Sequence, residues 1–315
     1  MTSPTQVGLE SLDRAASAYG ISAVAASDLT SIRPRGGRWR GLARRVTGNA
    51  NTVVGLVLLL LIVGAALAAP LLTPFDPLAA EPRDRLQSPS LTHPFGTDEL
   101  GRDLWTRVLY GGRLSLRAGF IAVGIAVLGG IVIGLVAGYY GGKVDMILMR
   151  LADILMAMPG ILLTMVFIFS LGPTLTNAMI AIGLASIPEY ARLVRGSVLS
   201  AREHLYVDAA QVVGAPPWLV MTRHILPNVV APTLILATIG IGGAILALAG
   251  LSFLGLGAQP PTPEWGVIIS DGRARLRNAW WIATFPGLAI ALSVLAINLV
   301  GDGLRDAFDP RMQQR

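Results

Sequence analysis

The chain has 315 residues, 53% of them hydrophobic and only 14% charged, with a mean hydropathy of +0.62. Apolar runs long enough to cross a bilayer make it an integral membrane protein and exclude an ordinary soluble domain. It has no cysteine, which excludes disulfide and thiol chemistry, and its net charge of +6 comes from basic residues scattered among loops, a pattern of membrane topology and not of nucleic-acid binding.

Residues 1–50 hold few large apolar groups and end in a cluster of arginines, Arg33, Arg35, Arg38, Arg40, Arg44 and Arg45. This reads as a partly disordered cytoplasmic tail with a basic membrane-surface segment. It is too long for a secretory leader, and no cleavage is expected. Residues 51–315 read as the transmembrane domain. The first span covers 53–72. A polar loop over 73–113 follows, in which Asp98, Arg102 and Asp103 are expected to form a local ion-pair network, any exposed member of which would be worth little individually.

The second span, 116–139, leads a stripe of Gly130, Gly134, Gly138 and Gly142, a spacing that permits close helix packing in a bilayer. The third, 151–171, is interrupted by Pro159. It carries Asp153, an intramembrane acid or, more simply, an interfacial partner of Arg150. The fourth is short, 175–187. The fifth covers 229–253 and exits through Leu251, Phe253 and Leu254, bulky residues suited equally to an outer gate or to lipid-facing packing. A surface helix is expected over 266–279, and the sixth span, 280–300, opens on Trp280 and Trp281 as interfacial anchors. The expected fold is thus all-α with six transmembrane helices. With an N-terminus inside, the inner segments carry 16 Arg and Lys and the outer ones 8, so both termini are expected in the cytoplasm.

The longest polar interlude of the second half is 200–228, SAREHLYVDAAQVVGAPPWLVMTRHILPN, on the expected cytoplasmic side. Ser200 with Glu203 has the form of a capping box, and Leu205, Ala209 and Val212 recur at helical spacing opposite Asp208 and Gln211, which makes a short amphipathic helix. Gly214 suits the helix C-cap, Pro216 the start of a second short helix, and Pro227 its interruption. Locally, an ordinary amphipathic loop and a contact surface for a partner explain it equally well.

Chemistry of the chain's own is hard to find. His93, His204 and His224 are far apart, which argues against a metal site, and no phosphate loop surrounds the only lysine, Lys143. Ser252 and Ser293 have no visible base partner. The chain is therefore expected not to be an enzyme, to hold no cofactor, and to draw energy from another subunit.

Asp208-Ala209-Ala210, Gly214 and Ile225-Leu226-Pro227 resemble the EAA loop of ABC-importer permeases, with Asp208 in place of glutamate and His224 at an isoleucine position. Three stretches, HPFGTDELGRDLWTRVLYGGRLSL (93–116), LSFLGLGAQPPTPEWG (251–266) and NLVGDGLRDAFDP (298–310), resemble the C-type permease subunit of dipeptide and oligopeptide ABC importers. The resemblance runs from about residue 50 to the end. It implies a type I importer permease fold in a bacterial or archaeal cytoplasmic membrane. It also implies a B-type permease partner, ATPase subunits that bind ATP and Mg, and an extracytoplasmic substrate-binding protein. Tyr206, Asp208, Ala209, Ala210, Gly214 and Pro227 would then form the coupling contact with an ATPase. Nickel and glutathione importers share the resemblance, and a stand-alone channel or secondary carrier is the alternative from another class.

Overall fold

The computed structural model describes residues Asn49–Phe308, so the expected N-terminal tail lies almost wholly outside them. Among these residues every regular element is helical, apart from one isolated β-bridge between Thr97 and Asp103. Helix α1, Ala50–Leu67, starts where the Asn49 side chain accepts a hydrogen bond from the Asn51 amide, and it ends before a separate helical turn, Ala69–Leu72, led by Pro70.

Helix α2, Leu104–Tyr140, is 37 residues long and begins well ahead of the expected span at 116. The Asp103 carboxylate caps it by accepting from the Thr106 amide at 2.8 Å, and Leu104, Val108 and Leu116 bury against later helices, so the sequence before 116 is drawn into the helix. At its far end the glycine stripe meets α5, Leu175–Arg202. A Cβ on Gly134 would lie 2.6 Å from the Ala191 carbonyl, and one on Gly138 2.7 Å from Val198. Glycine thus lets the two backbones touch. Gly142 is not part of this contact; it opens the next helix.

The expected single span over 151–171 is two helices, α3 (Gly142–Met156) and α4 (Gly160–Leu171), bent by 94° around Pro159. Proline has no amide hydrogen and disfavours helix in the residue before it, which here is Met158. Asp153 pairs with Arg192 of α5, not with Arg150. The neighbouring α3 residue Asp145 meets Arg195 through two bonds of 2.5 Å. Helix α5 does not stop near 187 but runs through Pro188 for 28 residues, because Ala191, Val194 and Val198 are buried along the glycine face of α2 and that packing outweighs one missing hydrogen bond.

Helix α6 is Leu205–Val212, α7 is Leu226–Phe253, α8 is Trp265–Gly272 and α9 is Trp281–Phe308. The stretch 266–279, expected on the surface, instead buries Val267 and Ile268 against α7 and α9. Trp281 is likewise buried, its indole donating to the Thr97 carbonyl at 3.1 Å, and only Trp280 is exposed as an interfacial ring would be. Four helices among the described residues are long and apolar enough to cross a membrane, or up to five if the bent pair counts as one. The expected count of six exceeds this because α5 carries Glu189, Arg192, Arg195 and Arg202.

Candidate functional site

The elbow between α5 and α7 is built by local backbone chemistry. The expected capping box is not used: α5 ends at Arg202, and α6 starts at Leu205 after His204, with no side-chain cap. At the other end of α6 the Gly214 amide donates to Gln211 at 2.9 Å and the Ala215 amide to Ala210 at 3.0 Å, the pair of bonds that closes a Schellman turn. Gly214 adopts φ +83°, which a side chain makes costly. Pro217 then opens a short turn, Pro217–Leu219. A π-helical segment, Val220–Ile225, carries the chain directly into α7. The wider π turn absorbs Pro227, which therefore opens α7 instead of interrupting a helix.

Helix α6 turns neither its Leu205–Val212 stripe nor its polar side fully inward. Val207 is fully buried, with Ala210 beside it, against Val194, Val198, Val220, Ile225 and Val229. Leu205 and Val212, two members of the apolar stripe, are 85% and 86% exposed, and Ala209, Val213, Gly214 and Trp218 share the open side. An eight-residue helix carries only about two turns, so one valine with its i+3 neighbour suffices to hold it. Asp208 is exposed in the first turn, where its charge suits the helix dipole. Tyr206 is pinned by the Asn228 amide, which donates to its hydroxyl at 2.8 Å and also to the His224 carbonyl.

At the opposite end of α2 the expected ion-pair network is present and its members are buried. The Asp98 carboxylate accepts from Arg102 Nε at 2.6 Å and lies 3.5 Å from Arg107 Nε, and Asp271 approaches Arg102 at 3.6 Å. Burial raises the Asp271 carboxyl above its ordinary range, against the pull of Arg107 and Arg102. Arg107 also donates to the Pro77 carbonyl at 3.2 Å, and His93 Nδ1 lies 2.8 Å from Asp103. Glu264, fully buried, caps α8 and accepts from Ser115 of α2 at 3.0 Å. These bonds tie the loop 73–103, α2 and α8 into one bracket. Nothing in the charge pattern alone distinguishes them from solvated pairs.

Between α2, α4, α5 and α7 lies a cavity of about 430 Å³ whose lining includes Thr164, Ser186, Tyr190, Gly240 and Leu251. Glu189 is its only charged lining residue. Sequence reasoning missed it because the fourth span was taken to end at 187; its signal was an acid directly after Pro188 in an otherwise apolar stretch. The three residues taken as a gate do not converge. Leu251 is buried at the cavity, Phe253 lies under the Arg273 guanidinium at 5.6 Å, and Leu254 is 55% exposed.

Several bilayer-length helices around a polar-spotted cavity, with an exposed two-helix elbow at one end, define a multi-pass membrane permease. Residues 130–314 match the family described as binding-protein-dependent transport system inner membrane component, and the chain belongs to that family. Residues 37–89 match the N-terminal TM domain of oligopeptide transport permease C. A dipeptide transport system permease protein of Alkalihalophilus pseudofirmus is 47% identical over 284 residues, 90% of this chain and 92% of the relative. A probable D,D-dipeptide transport system permease protein of Escherichia coli is 42% identical over 90% of this chain and 96% of its own. A glutathione transport system permease protein of Pectobacterium atrosepticum is 43% identical over 87% and 92%. The chain is therefore a transporter subunit, not an enzyme, working in general with a second permease, an ATPase and a binding protein.

Proposed function

We propose that this chain forms half of the translocation path of an ATP-driven peptide importer and takes up the work of ATP hydrolysis through the elbow at α6. The observation that carries the coupling role is the outward face of α6: Leu205, Ala209 and Val212 leave apolar area uncovered beside Asp208, which has no ion-pair partner among the described residues, at a Gly214 corner where a Cβ would meet nothing within 4 Å. A groove in a cytoplasmic ATPase would cover that area, with Tyr206, Asp208, Ala209, Ala210, Gly214 and Pro227 at or under the contact. ATP and Mg belong to the ATPases. Closure of those subunits would drag α6 and rock α5 and α7, to which Val207 and Val220 join it, between two arrangements of a bistable interface.

On this reading α5 is the sixth membrane crossing, both termini are cytoplasmic, and a B-type permease supplies the other wall of the path. An extracytoplasmic binding protein delivers the solute at the end bracketed by Asp98 and Arg107, and Leu251, Phe253 and Leu254 stand near the outer exit. Peptide as solute is supported by what the relatives are named for, and the glutathione relative fits the same chemistry, since glutathione is itself a tripeptide. Reconstituted with its partners, Gly214→Glu is expected to abolish uptake and the ATPase stimulation by loaded binding protein, while the chain still inserts in the membrane. Normal stimulated ATPase in that variant would remove the elbow from the mechanism.

A further inference from the structure

We infer that Glu189 receives the ammonium group of the transported solute midway along the path, an inference that rests on the peptide reading above. Depth comes first. The neighbouring Tyr190 hydroxyl donates to the Leu236 carbonyl at 3.4 Å and abuts Gly240, midway along α7, which belongs to a stretch apolar enough to cross the membrane. An unpaired carboxylate at that depth cannot face hydrocarbon cheaply and belongs on a water-filled path.

Partners come second. Among the described residues Glu189 makes no ion pair within 4 Å and no hydrogen bond, whereas Asp145, Asp153, Asp98, Asp103 and Glu264 are all engaged. Arg192, one turn on, is taken by Asp153. The charge of Glu189 is thus uncompensated among the described residues, and on a path walled by apolar helices this exposed carboxylate attracts a cation and repels an anion.

The hydroxyls around it favour a donor-rich cation. Thr164 donates to the Gly160 carbonyl at 2.8 Å, Ser186 to Ile182 at 2.9 Å and Tyr190 to Leu236. Each has committed its only proton to backbone, which leaves lone pairs as the hydroxyls' remaining hydrogen-bonding capacity. An ammonium brings three donors and no acceptor, whereas a divalent ion such as calcium needs six or more oxygens in a tight cage. No group of three or more His, Cys, Asp or Glu that could hold a metal occurs among the described residues.

Finally, the position is continuous with an exit. Ile182, Ser186 and Glu189 line the cavity; Leu193, Gly196 and Ser200, on the same face of α5, line an open groove of about 560 Å³ that reaches His204 and Asn228 beside the elbow. Glu189 therefore stands at the end of the cavity nearest the groove along α5.

The test uses the complete transporter in proteoliposomes with its loaded binding protein, and reads peptide moved per ATP hydrolysed for dialanine and for alanyl-lysine. Glu189→Gln is expected to lower that ratio about tenfold or more while ATP turnover stays near wild type, and Glu189→Asp to restore much of it. Loss for both peptides identifies the α-ammonium as the group received; loss for alanyl-lysine alone identifies the side-chain ammonium. An unchanged ratio overturns the inference while leaving the peptide reading intact, and a wild-type transporter that moves neither peptide overturns both. Should Glu189→Gln not assemble, Glu189→Cys gives a second measurement, because the chain has no cysteine of its own. A cationic thiosulfonate is expected to label it from water and delivered peptide to protect it. Absence of labelling or of protection overturns the inference.

Discussion

Asp145 and Arg195 face each other across α3 and α5 through two parallel bonds of 2.5 Å, and Asp153 with Arg192 repeats the pairing two turns along. A planar guanidinium matched to a carboxylate fixes direction as well as distance, so α3 is held across α5 although the chain bends by 94° at Pro159 just beyond. Arg195→Glu should therefore lower the thermal midpoint of the purified complex by a few degrees and reduce uptake. Adding Asp145→Arg to the same chain should restore most of both. A double variant no better than the single one would show that the pair does not hold α3.

Gly134 and Gly124 lie on the same helix in opposite circumstances: a Cβ at 134 would press on Ala191 and Val194, and one at 124 meets nothing within 4 Å. Gly134→Ala is expected to cost about 1–3 kcal/mol, and Gly124→Ala less than about 0.5 kcal/mol. Thermal unfolding of the two variants in one detergent checks this, and equal effects would exclude a close α2–α5 contact.

The anchor and the outward face of α6 should separate experimentally. Val207→Ala removes fully buried methyl groups and is expected to destabilise the elbow by about 2 kcal/mol. Val212→Ala, at an exposed position, should leave the thermal midpoint unchanged and yet weaken ATPase stimulation in the assembled transporter. A Val212 variant with full stimulation would move the contact away from this face.

At the other end, Asp98 serves two arginines. Asp98→Ala leaves Arg102 and Arg107 buried without that carboxylate and is expected to cost about 3–5 kcal/mol, seen as lost yield of folded protein. Asp208→Ala, an exposed acid, should leave yield as in wild type. Similar yields of both variants would mean that the bracket around α2 does not depend on the ion pair.

Membrane class, the approximate positions of most helices, the glycine stripe and the turn at Gly214 were legible from local sequence, because hydropathy, four-residue spacing and the need for positive φ act over a few residues. The resemblance of 93–116, 208–227, 251–266 and 298–310 carried the family as well. Tertiary structure alone decided the rest. The passage of α5 through Pro188 depends on burial against α2, and no window of sequence contains both partners. Whether Asp98 and Arg102 are solvated or buried depends on α8 and on Asp271, some 170 residues away. The same holds for α6: periodicity offered Leu205, Ala209 and Val212 as an apolar stripe, but Val207 was the residue that met Val220 and Ile225, so the stripe is left open to a partner.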